Sequence, residues 1–184
     1  MQAELQHPAQ AKPGTRRLSP QSKAVVAKMA ALFGIDSFGG GFLTDALIGY
    51  WFFHRFGVSV GTLGVLFFLG NVLNALSYLI AARLARRIGL LNTMVFTHIP
   101  SSLLLMAVPL APSPAWAVVF YLAWEALVEM DVPARQSYLM AVVRPEERTF
   151  ASGVTSLSRS VARSISPSLA GYVMQHVALS TPLF

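Results

Sequence analysis

The chain has 184 residues, of which 54% are hydrophobic and only 12% are charged, and its net charge is +6. A soluble domain has about 25% charged residues, so this composition argues against a water-soluble globule. The chain has no cysteine, which excludes a disulfide framework and a thiolate metal site. The basic residues lie at the edges of apolar runs, and this placement suits lipid head groups and not nucleic acid.

The chain begins with a polar segment, residues 1–23, which contains three prolines. No apolar core follows its first charges, so it does not have the pattern of a signal peptide. We interpret these residues as a polar cytoplasmic tail or an interdomain linker.

Five apolar runs follow, and each is long enough to cross a bilayer, which takes about 20 helical residues. The predicted spans are residues 24–53, 60–82, 90–111, 115–143 and 150–178. A glycine triplet at residues 39–41 predicts a break in the first span, because glycine weakens a helix. Pro133 predicts a kink in the fourth. The pattern predicts an all-α, polytopic helical membrane protein with five transmembrane helices, and residues 179–184 look like a truncated end.

The distribution of Lys and Arg predicts the orientation of these spans. Ten basic residues fall on one side, and only Arg55 falls on the other. The ten are Lys12, Arg16, Arg17, Lys23, Lys28, Arg83, Arg86, Arg87, Arg144 and Arg148. Because cytoplasmic loops carry the excess of positive charge, we expect a cytoplasmic N-terminus and an outer C-terminus in the cell membrane.

Two stretches carry a family resemblance. The loop between the second and third spans reads AARLARRIGLLNTM, and the end of the fourth span and the whole fifth contain DVPARQ, PEER and SPSLAG. These stretches resemble the major facilitator superfamily, in which the loop is usually Gly-x-x-x-Asp-Arg-x-Gly-Arg-Arg. Arg87 and Gly89 match its Arg and second Gly, whereas Ala82 and Arg86 replace its first Gly and its Asp.

The resemblance covers residues 24–178 and places the chain in the carboxyl-terminal half of such a transporter. It implies five helices of a half bundle, with the amino-terminal half and the last helix missing. It also implies secondary active transport of an unknown small solute by alternating access, with sites near the membrane midplane. Efflux and proton coupling are expected. A non-transporting membrane scaffold or accessory subunit is the alternative, and no feature supports an enzyme.

Asp36 and Glu125 are the candidate substrate or coupling acids, because carboxylates inside a membrane are costly and usually face a cavity. Asp36 precedes the glycine triplet, and Glu125 lies halfway along the fourth span. For Asp36, a purely structural pairing with an internal arginine is equally compatible with the pattern. Asp45, nearer the outer side, stays unassigned.

A second set of candidates consists of gate or loop salt bridges. Glu129 and Asp131 lie nearer the cytoplasmic end of the fourth span, and we expect them to pair with Arg135 or with arginines of the next helix. Arg144 and Arg148, in the following charged turn, complete this set.

Arg159 and Arg163 lie on one helical face with small and hydroxyl residues. This pattern is compatible with anion binding, with pairing to Glu125 or Asp36, or with side chains that extend to the membrane interface. His98, beside Pro100, is interpreted as a packing histidine at a kink.

The loop-motif candidates are Arg83, Arg86, Arg87 and Gly89, which we expect to anchor the topology and, by the resemblance, to help latch conformations. No cofactor or metal site is predicted. The expected partners are the lipid bilayer, the solute and the missing parts of the transporter, and not nucleic acid.

Overall fold

A computed structural model describes residues 19–184, apart from the side chain of Gln21. Most of the predicted tail, residues 1–18, therefore lies outside the described residues. Helix begins at Pro20, earlier than the predicted start of the first span. The reason is local: Ser19 caps the helix by accepting from the Ser22 N–H, and proline suits the first helical position.

The described residues form seven α-helices and no strand. The helices are α1 Pro20–Gly40, α2 Asp45–Phe56, α3 Val60–Ile88, α4 Leu90–Ala107, α5 Pro114–Val128, α6 Asp131–Val142 and α7 Arg148–His176. Short 3-10 helices occupy Pro145–Glu147 and Thr181–Leu183. The prediction of an all-α membrane protein is confirmed.

Two of the apolar runs are broken. The first stops at Gly40 and restarts at Asp45, where the Thr44 hydroxyl accepts from the Leu47 N–H. The fourth breaks at Glu129 and Met130, three to four residues before Pro133, which is where a proline is expected to break a helix. Pro133 lies in the first turn of α6, where its missing N–H costs nothing, and its ring disfavours helix through the residue four before it, Glu129.

Three helical segments are long and apolar enough to cross a membrane: Ser22–Phe56, Val60–Ile88 and Leu90–Ala107. The fourth run, which is divided into helices of 15 and 12 residues, is not among these segments. The α7 helix has 29 residues but many are serine or arginine. Large apolar side chains point outward along these helices, such as Phe96, which is 68% exposed. A surface of this kind fits contact with lipid.

Two apolar clusters hold the bundle together, one near each end of the helices. One surrounds Trp51, Phe52 and Tyr121 on α2 and α5, and the other contains Val26, Leu139 and Ala151 on α1, α6 and α7. By chain direction these clusters lie at opposite ends of the helices.

The α1 and α7 helices pack closely through small residues. The Ser158 hydroxyl donates to the Ala30 carbonyl at 2.7 Å, and the Ser166 hydroxyl donates to the Phe38 carbonyl at 2.7 Å. Gly34 faces Ser158, and a Cβ at Gly34 would lie 2.6 Å from its oxygen. Small residues at a helix interface let two backbones approach in a membrane.

A second contact fixes the start of α1. The Ser19 N–H donates to Glu147 Oε1 at 2.6 Å, which ties the helix to the loop between α6 and α7. Glu147 is only 6% exposed. The Ser22 hydroxyl and the Ser19 N–H stabilise the ionised carboxylate and lower the pKa of Glu147 below its usual value.

The close approach of α1 and α7 predicts different effects of alanine at two glycines of the same helix. We expect Gly34→Ala to destabilise the protein by about 1–2 kcal/mol, because the new methyl group displaces the Ser158 hydroxyl from its hydrogen bond. At Gly39 a methyl group would have no atom within 4 Å, so Gly39→Ala is the matched control. Equilibrium unfolding in detergent measures both, and equal stabilities would contradict the packing described here.

Candidate functional site

An ion-pair cluster joins α1 to α6. The Arg135 guanidinium pairs with Asp131 one turn earlier on α6 and with Asp36 on α1. The Asp131 side chain is only 3% exposed, and that of Arg135 is 14% exposed. Arg135 also lies over the ring of Phe33, 5.9 Å from its centre. The i,i+4 spacing of Asp131 and Arg135 places both side chains on one face of α6.

His98 of α4 is the fourth member of this cluster. Its Nδ1 lies 3.2 Å from Asp131 Oδ2, and its Nε2 lies 3.7 Å from Asp36 Oδ1. The side chain is 46% exposed, so the interpretation of His98 as a packing histidine was wrong. A lone histidine in an apolar run was the only sequence signal for this role. Its partners could not be identified from the sequence, because Asp131 and Asp36 lie 33 and 62 residues away in the chain.

Two further carboxylates, both from the α5 segment, lie between α5 and α3. Glu125 accepts from the Tyr121 hydroxyl at 2.8 Å and from Asn74 Nδ2 at 3.0 Å. Glu129, one turn further on, accepts from the Tyr78 hydroxyl at 3.1 Å. Among the described residues, no cation lies within ion-pair distance of either carboxylate.

We expected Glu129 to pair with Arg135 or with an arginine of the next helix, and this was wrong, because Glu129 accepts from the Tyr78 hydroxyl instead. The other expected pair, Asp131 with Arg135, is present. The break after Val128 separates the two acids, because Glu129 stays aligned with α5 and Asp131 begins α6.

The two arginines of α7 do not pair with Glu125 or Asp36. Arg159 Nε donates to the Ser37 hydroxyl at 3.4 Å, and the exposed Arg163 has no hydrogen bond or ion pair to the described residues. Ser166, which lies on the face predicted around them, packs against α1 by donating to the Phe38 carbonyl.

The loop candidates lie at one end of the bundle, away from these groups. Arg83, Arg86 and Arg87 are exposed at the end of α3, and Arg144 and Arg148 are exposed on either side of the first short 3-10 helix. Gly89 has a φ of 85°, which only glycine adopts readily, and it joins α3 to α4. Glu147, buried among these exposed charges, was not singled out from the sequence.

A cavity of about 790 Å³ lies between the helices and brings the charged groups together. The described residues lining it include five carboxylates and three arginines. They are Asp36, Asp45, Glu125, Glu129, Asp131, Arg135, Arg159 and Arg163, and His98 lies among them. A space of this size holds a small organic molecule. Its walls offer charges of both signs, with an excess of acids.

Comparison with known proteins is consistent with this architecture. Residues 7–182 match the family model of the Major Facilitator Superfamily. An uncharacterized membrane protein of Saccharomyces cerevisiae is 28% identical over 158 residues, which are 85% of this chain and 35% of that protein. The chain therefore spans about a third of the length of this relative. No solved structure matches. The match over nearly the whole chain confirms the resemblance, and this multi-pass membrane protein belongs to the Major Facilitator Superfamily, a family of transporters.

Proposed function

We propose that this chain is the carboxyl-terminal half of a secondary active transporter that moves a small solute across the cell membrane. The observation that carries the proposal is the 790 Å³ cavity, which holds ionisable side chains in the middle of an otherwise lipid-facing bundle. Ionisable groups at this depth are costly and mark solute or ion pathways in membrane proteins. In the assembled transporter, a second half bundle would face this cavity.

Alternating access requires that the half bundle rocks as a unit around the solute. Two contacts support such rigidity. The Arg135 ion pairs link α1 to α6, and the hydrogen bonds of Ser158 and Ser166 to backbone carbonyls hold α7 against α1.

Proton coupling is the second part of the proposal. His98 is half-exposed in the cavity and lies between Asp36 and Asp131, so gain or loss of its proton changes the net charge of the cluster. Histidine titrates near physiological pH in water. In the direction that we propose, proton entry drives solute efflux.

A scaffold or accessory subunit is less well supported, because it has no use for carboxylates that line a cavity. The arrangement of the helices also favours transport, because charged residues from five helices line the same cavity.

The orientation can be tested directly, because the chain has no cysteine. We place Glu146 in a cytoplasmic loop and the exposed Leu110 in an outer loop, on the basis of the Lys and Arg distribution. In intact cells, a membrane-impermeant maleimide should label Leu110→Cys and should label Glu146→Cys only after permeabilisation. The reverse pattern would overturn the orientation.

Transport can be tested in proteoliposomes with an imposed pH gradient and an entrapped pH dye, using a panel of small solutes. A full-length version, in which six amino-terminal spans and the last helix are joined to this chain, should show solute-dependent proton flux. The 184-residue chain alone should show none. Asp36→Asn and Glu125→Gln should each reduce the initial rate about tenfold, equivalent to about 1.4 kcal/mol.

The matched control for these variants is Glu146→Gln, which removes an exposed acid of a loop outside the cavity and should leave the rate unchanged. Unchanged flux in both cavity variants would favour a structural role for the two acids. Solute flux through the 184-residue chain alone would contradict the proposal of a two-half pathway.

A further inference from the structure

We propose that the cavity wall formed by α3 and α5 binds the protonated amine of the transported solute, at Glu125 and Asn74. This inference rests on the proposed function, because it names the chemical class of the solute. The binding site itself can be measured on this chain without transport.

The first observation is the Glu125 carboxylate, whose two oxygens each accept one hydrogen bond but which has no counter-charge among the described residues. Both oxygens of Glu125 face neutral groups, the Tyr121 hydroxyl and the Asn74 amide. These hydrogen bonds orient the carboxylate without neutralising it. An ionised acid inside a membrane protein needs a compensating charge, and a cation that enters the cavity would supply it.

The second observation is an acceptor without a donor. The Asn74 Nδ2 group is held by Glu125, and its Oδ1 is buried and has no hydrogen-bond partner in the described structure. Buried polar atoms are normally satisfied. A primary ammonium group carries three N–H donors and one positive charge. It can therefore donate to Asn74 Oδ1 and neutralise Glu125 together, whereas a hydroxyl can donate a hydrogen bond but carries no charge.

The surroundings of Glu125 fit an organic cation. Trp124, its neighbour on α5, also lines the cavity, and a tryptophan ring attracts ammonium groups. Gly70 of α3 leaves room for the acid, since a Cβ there would lie 3.2 Å from Glu125 Cγ. Glu129, held by Tyr78, extends the acidic wall by one turn.

The arginines that line the cavity do not change its preference for a cation over an anion. Arg135 is occupied by Asp36 and Asp131, which leaves Arg159 and Arg163 on α7 as the cations available to an anion. Against these two stand Glu125, Glu129 and Asp45 among the described lining residues. The unpaired charge of the cavity is therefore negative.

The experiment uses the 184-residue chain in lipid nanodiscs and 2-phenylethylammonium as the probe. Binding is measured by tryptophan fluorescence and calorimetry. Three comparison compounds share the aromatic group: trimethyl(2-phenylethyl)ammonium keeps the charge but has no N–H, 2-phenylethanol keeps a donor but has no charge, and 3-phenylpropionate is an anion. We expect saturable binding of the primary amine, at least about fivefold weaker binding of the quaternary amine, and the weakest binding of the other two.

Two variants locate the site. Glu125→Gln keeps the shape of the side chain but removes its charge and replaces one acceptor oxygen by an NH2 donor, so it should weaken binding of the primary amine about tenfold. Asn74→Ala should remove the preference for the primary over the quaternary amine. Glu146→Gln should bind like the wild type, and thermal unfolding checks that all variants are folded.

The proposal is overturned if the wild type shows no saturable amine binding, if it prefers 3-phenylpropionate, or if Glu125→Gln binds the amine unchanged. If Glu125→Gln does not fold, the order of the four compounds on the wild type decides the outcome alone. Amine binding without transport by the full-length version would refute the proposed function and leave the amine site standing. Transport without amine binding would refute the amine site and leave the proposed function standing.

Discussion

The buried carboxylate of Asp131 is the constraint on which the bundle depends. Its side chain is 3% exposed, in a bundle whose outer surface is apolar. A buried charge that loses its partner is strongly destabilising, by about 3–5 kcal/mol. Arg135 supplies the partner, and its second ion pair with Asp36 extends the constraint from α6 to α1. His98 adds α4, so three helices are positioned around one acid.

The other helices pack around this cluster and form the walls of the cavity. With α1 fixed against α6, the serines of α7 reach the carbonyls of Ala30 and Phe38, and α7 closes one side of the cavity. The α3 and α5 helices form the other side, through the hydrogen bonds of Asn74 and Tyr78 to glutamates. Charged groups that would be costly in lipid are thereby gathered around the cavity.

The sequence was sufficient for the fold class, and it singled out two acids that the structure places at the cavity. Low charge content and long apolar runs predicted a helical membrane protein, and the glycine triplet coincides with the end of α1. The acids chosen as candidates, Asp36 and Glu125, both line the cavity. These features are local, because they depend on composition, on helix propensity and on the cost of a charge in lipid.

Contacts between helices could not be predicted in the same way. Periodicity does not show that His98 meets Asp131, that Glu129 meets Tyr78, or that Ser158 meets Ala30, because each pair depends on how distant helices pack. The break at Glu129 and Met130 is local in origin, because the ring of Pro133 disfavours helix through the residue four before it.

The most direct measurement of the central claim is a double-mutant cycle between Asp36 and Arg135. Unfolding free energies in detergent micelles are compared for the wild type, Asp36→Asn, Arg135→Gln and the double variant. If the ion pair links α1 to α6, the two substitutions should couple by about 1–3 kcal/mol. Additive effects, within about 0.3 kcal/mol, would contradict the account.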